Sequence, residues 1–323
     1  MRYSIIGDIH CTLNNLKEVN ELFDIIEQLR NPTILLGDVL DTKAIVRSEC
    51  LNLIYKKISE SECHFFIIIG NHDYHNLDCL SHALLPLQSL PNVTLIEKLE
   101  EISEGLCAVP YIANTEVLLE TLSKIPDDSI ILGHFEITSF DYGNGLLCTE
   151  NSKAVNKQAF SRFKKVISGH FHKYQEMDNI TYLGTPFSHS FGESNQDKYI
   201  AILENSNLEL IKTSFPQHIT VTLNKDSDLN LTLRDSNYNR IIIQGTELEV
   251  KSIKEEILRL IPPKTKIIED IKELKDESNT PLTPNMDVVS KWTTWAESVV
   301  KYPEDVILLG ASILKECKNR EEG

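Results

Sequence analysis

Five short clusters of aspartate, asparagine and histidine punctuate the first half of the chain, each opened by glycine. They are GDIH (7–10), GDVLD (37–41), GNHD (70–73), GH (133–134) and GHFH (169–172). Their donor atoms are oxygen and nitrogen, with no thiolate in the set, which suits Mn²⁺, Fe²⁺ or Zn²⁺ better than Ca²⁺ or a structural zinc. Asp8, His10, Asp38, Asn71, His134, His170 and His172 supply one donor each. That is more than a single ion takes from protein when a position must stay open for water. The set suits two ions sharing a bridging carboxylate. Two cations about 4 Å apart are a known device of phosphoryl chemistry, activating water and stabilising the entering and leaving oxygens. One GD or GH turn alone would mean little; the five in this order carry the signal. His170 and His172 stand at i and i+2 of a strand end. Their side chains therefore point the same way about 6–7 Å apart, fit for one ligand on each of two neighbouring ions. The spacing leaves open which imidazole takes which ion.

Each cluster follows three or four consecutive apolar residues, so a buried strand delivers it to a sheet edge. The strand-like runs are YSII (3–6), TILL (33–36), HFFIII (64–69), SIIL (129–132), KVIS (165–168), ITYL (180–183) and YIAIL (199–203). Between them, residues 14–30 carry Leu16, Val19, Leu22, Phe23, Ile26 and Leu29 at helical spacing, and a second helical stretch covers 48–59. Alternating strands and helices predict an α/β architecture, with the clusters in the crevice where such proteins bind ligands. Glycine at each turn permits close backbone approach. His75 and His82 fall on an expected helix after GNHD. His64 and His218, at strand starts, read as structural.

The pattern changes past residue 215. ITVTL, LNLTL and RIIIQG read as strands, residues 246–260 as a helix, and KTKIIEDI as another strand. The expected organisation is a large domain at 1–214, a small ββαβ domain at 215–275, a polar linker at 276–285 and a C-terminal helix pair at 286–323. In that pair Val288, Trp292, Trp295 and Val299 mark one helix, and Val306, Leu309 and Ile313 the other.

Composition narrows the classes. Hydrophobic residues make up 41% and charged residues 25%, enough for a substantial core. No apolar run reaches the roughly 18 residues of a membrane span, and the opening MRYSIIGDIH does not read as a signal peptide. Seven scattered cysteines without a CxxC pair fit free thiols in a reducing cytoplasm. The net charge of −16 weighs against a protein that coats nucleic acid, although bound cations or a local basic strip offset an acidic average.

The ordered set GDxH, GDxxD, GNHD, GH and GHxH resembles the calcineurin-like metallophosphoesterase superfamily over roughly residues 1–210. The resemblance implies a four-layer αββα sandwich. It implies one ion on Asp8, His10, Asp38 and His172, and another on Asp38, Asn71, His134 and His170, with Asp38 bridging. His72 would then serve as the acid or orienting group beside the leaving oxygen, and Asp73 would orient His72. GDVLDTK and GNHD depart from the GDxxDRG and GNHE of protein Ser/Thr phosphatases. YLGTPFSHSFGE (182–193) is similar to a corresponding region of the SbcD family of break-repair nucleases, closest in size to phage recombination-nuclease subunits.

That narrower resemblance implies a dsDNA exonuclease and ssDNA endonuclease using Mn²⁺, with Mg²⁺ or Fe²⁺ as other options. The small domain would be a DNA-contacting cap, and the C-terminal helices would dock on an SbcC-like coiled-coil ABC ATPase. The assembly would be a homodimer within a heterotetramer, in the host cytoplasm if phage-encoded. Candidate substrate contacts are Asp41, Lys43, Arg47, Lys173 and His189. Asp41 stands where many cellular members of that family have histidine. The alternatives are a phosphatase or cyclic-nucleotide phosphodiesterase of the same superfamily, or a metal-stabilised scaffold without activity.

Overall fold

The computed structural model describes residues 1–41, 45–76, 79, 81–143, 145–151, 153–229, 231–271, 286–297 and 303–321. Lys43 and the expected linker at 276–285 lie outside the described residues. The elements of the first half are β1 (Arg2–Ile6), α1 (Leu16–Leu29), β2 (Thr33–Leu35), α2 (Ser48–Glu60), β3 (Phe65–Ile68), β4 (Val93–Ile96), β5 (Glu100–Ser103), β6 (Leu106–Val109), α3 (Thr115–Ser123) and β7 (Ile130–His134). There follow β8 (Lys165–Gly169), β9 (Gln175–Met177), β10 (Ile180–Tyr182), β11 (Tyr199–Glu204) and β12 (Asn207–Lys212). The remainder comprises β13 (His218–Leu223), β14 (Tyr238–Gly245), α4 (Glu247–Ile257), β15 (Lys266–Ile271), α5 (Val288–Trp295) and α6 (Glu304–Glu321).

Two six-stranded sheets form the body, in the orders β12-β11-β1-β2-β3-β4 and β5-β6-β7-β8-β10-β9. Their central strands run parallel, β1 to β4 in one and β6, β7, β8 and β10 in the other. Parallel strands covered on both faces read as unbroken apolar runs, which is how they appear in this sequence. Successive side chains point to opposite faces. Ile5, Ile34 and Ile68 accordingly meet Ala108, Leu132 and Ile167 of the second sheet in one core between the sheets. Ile6, Leu35 and Ile67 turn outward beneath Val19, Leu22 and Phe23 of α1 and Ile54 and Ile58 of α2. On the far side Val109, Ile131 and Val166 pack with Leu118 and Leu122 of α3 and with Phe160 and Phe163. The layers are therefore helix, sheet, sheet, helix: the mixed α/β sandwich expected from the motifs.

Several local expectations differ from what is found. LNLTL forms no strand among the described residues; the Leu231 amide instead bonds back to the Leu229 carbonyl at 2.9 Å. The described residues after GNHD form no helix either, and Tyr74 and His82 pair as an antiparallel bridge. Strands β4 to β6 and helix α3 were not evident in the sequence. β5 is a polar edge strand, EEIS, which carries no apolar run to find. Arg162, which opens a short basic run at 162–165 (RFKK), bonds to Asp127 and to the Leu122 carbonyl, a structural role on the body's surface.

By compactness the chain divides into Met1–Val221 with Thr232–Arg240 and Pro262–Lys266, and Thr222–Leu231 with Ile241–Ile261 and Ile267–Gly323. β13, β14 and β15 form a separate three-stranded sheet. α4 opens on a capping box in which Thr246 and Glu249 satisfy each other's backbone amides. In the second unit Trp292 of α5 packs over Gly310 of α6 and donates its indole N–H to the Ile307 carbonyl at 3.1 Å. That tryptophan thus joins the two helices. Among the described residues no helix is long and apolar enough to cross a membrane.

Candidate metal centre

All five clusters lie at the C-terminal ends of parallel strands: after β1, β2, β3 and β8, and on the last residue of β7. The two sheets bring those ends together. His10 Nε2 and His172 Nε2 approach to 3.0 Å. Beside them, Asn71 Oδ1 lies 2.8 Å from His134 Nε2 and 2.9 Å from His170 Nδ1, and those two nitrogens are 3.3 Å apart. Asp38 Oδ2 stands between the groups, 3.6 Å from His10 Nε2 and 3.4 Å from His134 Nε2. Asp8 lies beneath, accepting the His170 amide on both oxygens at 3.1 and 3.0 Å, with Oδ1 3.4 Å from His134 Nδ1. Residues 162 positions apart in sequence are thus neighbours.

Two of the four imidazoles donate a hydrogen bond from the outer nitrogen, and the other two face a carboxylate there. His134 Nδ1 donates to the Leu36 carbonyl at 2.9 Å, and His172 Nδ1 to Glu193 Oε1 at 2.9 Å. His10 Nδ1 faces Asp41 Oδ1 at 3.4 Å, and His170 Nε2 faces Glu136 Oε2 at 3.7 Å. An acceptor behind one ring nitrogen holds the proton there and turns the other nitrogen's lone pair inward. Six groups therefore offer inward-facing ligand atoms: four imidazole nitrogens, the Asn71 carbonyl oxygen and the Asp38 carboxylate. Such a convergence repels itself unless positive charge sits among it. The residues fit divalent cations bound by nitrogen and oxygen.

Electrostatics agree. Burial alone would raise the Asp38 carboxyl, but His134, His10 and His72 hold it well below the usual carboxylate range. Against its own burial, His134 is pushed up to about 9, chiefly by the Asp38 charge and then by Asp8. His10 is likewise raised against burial by Asp41, Asp38 and Asp8.

The backbone is strained here. His10, Asp38 and His170 adopt positive φ values of 43°, 47° and 93°. Non-glycine residues rarely do so, and such strain persists where surrounding structure enforces it. Gly169 supplies room instead. A Cβ there would fall 2.6 Å from Asp8 Oδ1 and 2.8 Å from the Leu36 carbonyl oxygen.

His72 projects at the margin. Its amide donates to Asp38 Oδ1 at 2.7 Å, and its Nδ1 donates to the Asp41 carbonyl at 2.5 Å. Its ring meets His10 edge-on at 4.8 Å. The neighbouring carboxylate, Asp73, does not take the expected place behind the His72 ring. It accepts from the Leu40 and Gly70 amides at 3.1 and 2.9 Å, bracing the second and third clusters together. Burial and then the Asp38 charge push its carboxyl up to about 7.

The candidate substrate contacts are dispersed. Asp41 backs His10, as above, and the His10 hydrogen bond holds its carboxyl below the ordinary range. Arg47 is exposed just ahead of α2 and lines a cavity with Cys11, Thr12 and Asp41. Lys173 pairs with Asp141 Oδ2 at 2.9 Å. His189 packs against His10, with ring centroids 5.6 Å apart. Sequence reading missed Glu136 and Glu193. Glu136 stands two residues beyond His134, and Glu193 ends the SHSFGE segment. Glu193 also binds the buried Lys198 Nζ at 2.7 Å, and this ammonium donates to the His172 carbonyl at 3.0 Å.

Comparison with known proteins places this centre. The family model of calcineurin-like phosphoesterases matches residues 1–174. The chain is 26% identical over 172 residues to Exonuclease subunit 1 of Enterobacteria phage T4, covering 50% of this chain and 49% of that protein, so it spans about half of that relative. It is 29% identical over 220 residues to Putative phosphoesterase 244L of Invertebrate iridescent virus 6, covering 62% of this chain and 75% of that one. It is 22% identical over 276 residues to Putative phosphoesterase 078R of Invertebrate iridescent virus 3, covering 77% and 78%. The match across more than half the chain, over the residues that build the centre, shows that this protein belongs to the calcineurin-like phosphoesterases, metal-dependent hydrolases of phosphoesters that bind two divalent cations.

Proposed function

We propose that the chain is the nuclease subunit of a DNA-processing assembly, hydrolysing phosphodiester bonds at a centre that binds two Mn²⁺ ions. The observation that carries the reading is the pair of donor groups on either side of Asp38, with His72 at their margin. Asp8, His10, Asp38 and His172 would hold one ion, and Asp38, Asn71, His134 and His170 the other. Bound there, the cations supply Lewis-acid stabilisation of the phosphoryl oxygens and acidify water.

The protein's own residues do the rest. Because His72 Nδ1 donates to the Asp41 carbonyl, Nε2 is the ring atom that can pass a proton to the leaving oxygen. The Asp38 contact with the His72 amide holds that loop beside the centre. Arg47, and Lys173 once drawn from Asp141, can meet flanking phosphates. Similarity to a phage exonuclease subunit supports DNA as the substrate. It also supports a multi-subunit assembly, here a homodimer joined to an SbcC-like coiled-coil ATPase. The part of the chain at 215–275 would contact DNA as a cap. The helices at 286–323 would meet the partner through exposed Leu308, Leu309 and Ile313. The longer alignments to two viral phosphoesterases, whose names specify no substrate, are equally consistent with a second reading, a phosphatase or cyclic-nucleotide phosphodiesterase.

One assay separates them. With Mn²⁺ present, the wild type is expected to cut linear duplex and single-stranded DNA. Asp38→Ala should abolish cutting, and His72→Ala should slow it by about 10²–10⁴-fold. Equal cutting by wild type and Asp38→Ala rejects the nuclease reading. Rapid turnover of p-nitrophenyl phosphate without DNA cleavage, with or without a coiled-coil ATPase, establishes the second.

A further inference from the structure

A cavity of about 580 Å³ opens beside the metal centre, within the first compact unit, lined in part by Asn15, Glu18, Asp41, His189, His218 and Tyr238. Its size suits a ligand of one or two rings. His189 forms the wall shared with the centre, its ring centroid 5.6 Å from His10 and 5.8 Å from His172. Asn15 Nδ2 faces His189 Nδ1 at 3.5 Å. An amide NH₂ can only donate, so Nδ1 accepts and His189 Nε2 carries the hydrogen. That Nε2 is buried and has no hydrogen-bond partner among the described residues. A buried donor without an acceptor is costly, and its position against two metal-ligating rings suits a phosphate oxygen.

An aromatic surface stands elsewhere on the cavity wall. Tyr238 stacks on His218 with centroids 4.6 Å apart and planes 19° from parallel. His218 is itself fixed, by Ser188 Oγ at 2.9 Å from Nδ1 and by the edge contact of Phe191 at 4.8 Å. Phe191 in turn lies under the Arg240 guanidinium, 4.5 Å from the ring centroid. Tyr238 nevertheless keeps 47% of its surface exposed. A tyrosine backed on one face by a braced ring and open elsewhere is a platform for a nucleobase. The Asp41 and Glu18 carboxylates disfavour a second phosphate in the cavity. They can accept hydrogen bonds from base or sugar donors.

We infer that this cavity receives the nucleotide flanking the scissile phosphate. The His189 Nε2–H bonds a phosphate oxygen, and the base stacks on Tyr238. The inference rests on the reading of the centre as a phosphodiester hydrolase and adds a base-binding subsite to it.

The test uses the full chain with Mn²⁺ and two probes, the p-nitrophenyl ester of thymidine 5′-monophosphate and methyl p-nitrophenyl phosphate. The wild type should show a KM about tenfold lower for the thymidine ester. Tyr238→Ala should lose that preference while keeping its kcat on the methyl ester, which shows the fold and centre intact, and Tyr238→Trp should retain it. His189→Ala should lower kcat/KM on both esters about tenfold, and His189→Gln, which keeps a donor, should recover most of the loss. Equal KM values in the wild type, or an unchanged preference in Tyr238→Ala, overturn the subsite. A preserved thymidine preference alongside failure to cut any oligonucleotide upholds the subsite and removes the DNA reading alone.

Discussion

His10 Nε2 and His172 Nε2 face each other at 3.0 Å, the first carried on the loop after β1 and the second on the loop after β8 of the opposite sheet. Carboxylates stand behind both rings: Glu193 Oε1 accepts from His172 Nδ1 at 2.9 Å, and Asp41 Oδ1 lies 3.4 Å from His10 Nδ1. This junction between the sheets ties the folded body to cation binding. Mn²⁺ at about 100 times its dissociation constant should stabilise the protein by about 2.7 kcal/mol per site, read as a rise in thermal midpoint. His172→Ala should lower calorimetric stoichiometry from two ions toward one. An unchanged midpoint at saturating Mn²⁺ would remove the metal-centre assignment.

Cation binding should also release protons. The Asp38 and Asp8 charges push His134 up to about 9 against its burial, and His10 is raised as well. Their inner nitrogens must be deprotonated to ligate. Below pH 9 the cation competes with protons, so affinity should climb with pH, about tenfold per unit for each proton displaced. Calorimetry from pH 6 to 8, in buffers of different ionisation enthalpy, measures both effects. Affinity independent of pH in that window contradicts the paired charges described.

Glu193→Gln probes the support behind His172. Burial opposes ionisation of Glu193, yet the His172 hydrogen bond and the Lys198 charge hold its carboxyl below the ordinary 4.5. A carboxyl lowered on folding stabilises the fold above its unfolded value and loses that contribution as pH falls through the folded one. The substitution leaves Lys198, itself depressed by burial, without its counter-charge. It should cost about 3 kcal/mol at pH 7 by urea denaturation, with the deficit shrinking below about pH 4.5. Mn²⁺ affinity should fall 10–100-fold. A deficit equally large at acid pH would assign the loss to packing rather than charge.

These supports were the part hidden from sequence reading. Asp8, Asp38, Asn71, His134 and the GHFH pair are legible because each follows an apolar run that must become a buried strand, and the strand end decides where it points. Glu136 and Glu193 have no such marker. Each gains its role from a ring in a distant loop or on the same edge, a tertiary contact that local pattern does not encode. LNLTL shows the converse: it alternates like a strand, but alternation specifies no partner, and the Leu231 amide closes on Leu229 instead. His82 likewise looked helical, and is instead placed by its bridge to Tyr74 and by Glu97 Oε1 at 3.0 Å from its Nε2.

Gly169→Ala should show how tightly the last cluster is seated. The added methyl would lie 2.6 Å from Asp8 Oδ1 and 2.8 Å from the Leu36 carbonyl, and the latter is backbone that also holds His134. Relief requires moving β8 away from the first sheet. The expected cost is about 3 kcal/mol, with Mn²⁺ stoichiometry falling from two toward one. Wild-type stability together with unchanged Mn²⁺ stoichiometry would mean that the sheets can part without harm to the centre.

Asp73→Asn separates two roles for the carboxylate after His72. If Asp73 oriented the His72 ring, the substitution would alter the acidic limb of the pH–rate profile and leave stability alone. Its contacts argue otherwise, since both oxygens accept backbone amides, Leu40 on one and Gly70 on the other. Asparagine offers one acceptor and must set its NH₂ against the second amide, leaving a buried donor unmet at a cost of about 2 kcal/mol. Because those amides belong to the loops carrying Asp38 and Asn71, Mn²⁺ affinity should weaken alongside stability. The shape of the pH–rate profile, which the proposed function assigns to His72, should persist at a lower maximum. A shifted acidic limb with intact stability would instead return Asp73 to the place behind His72.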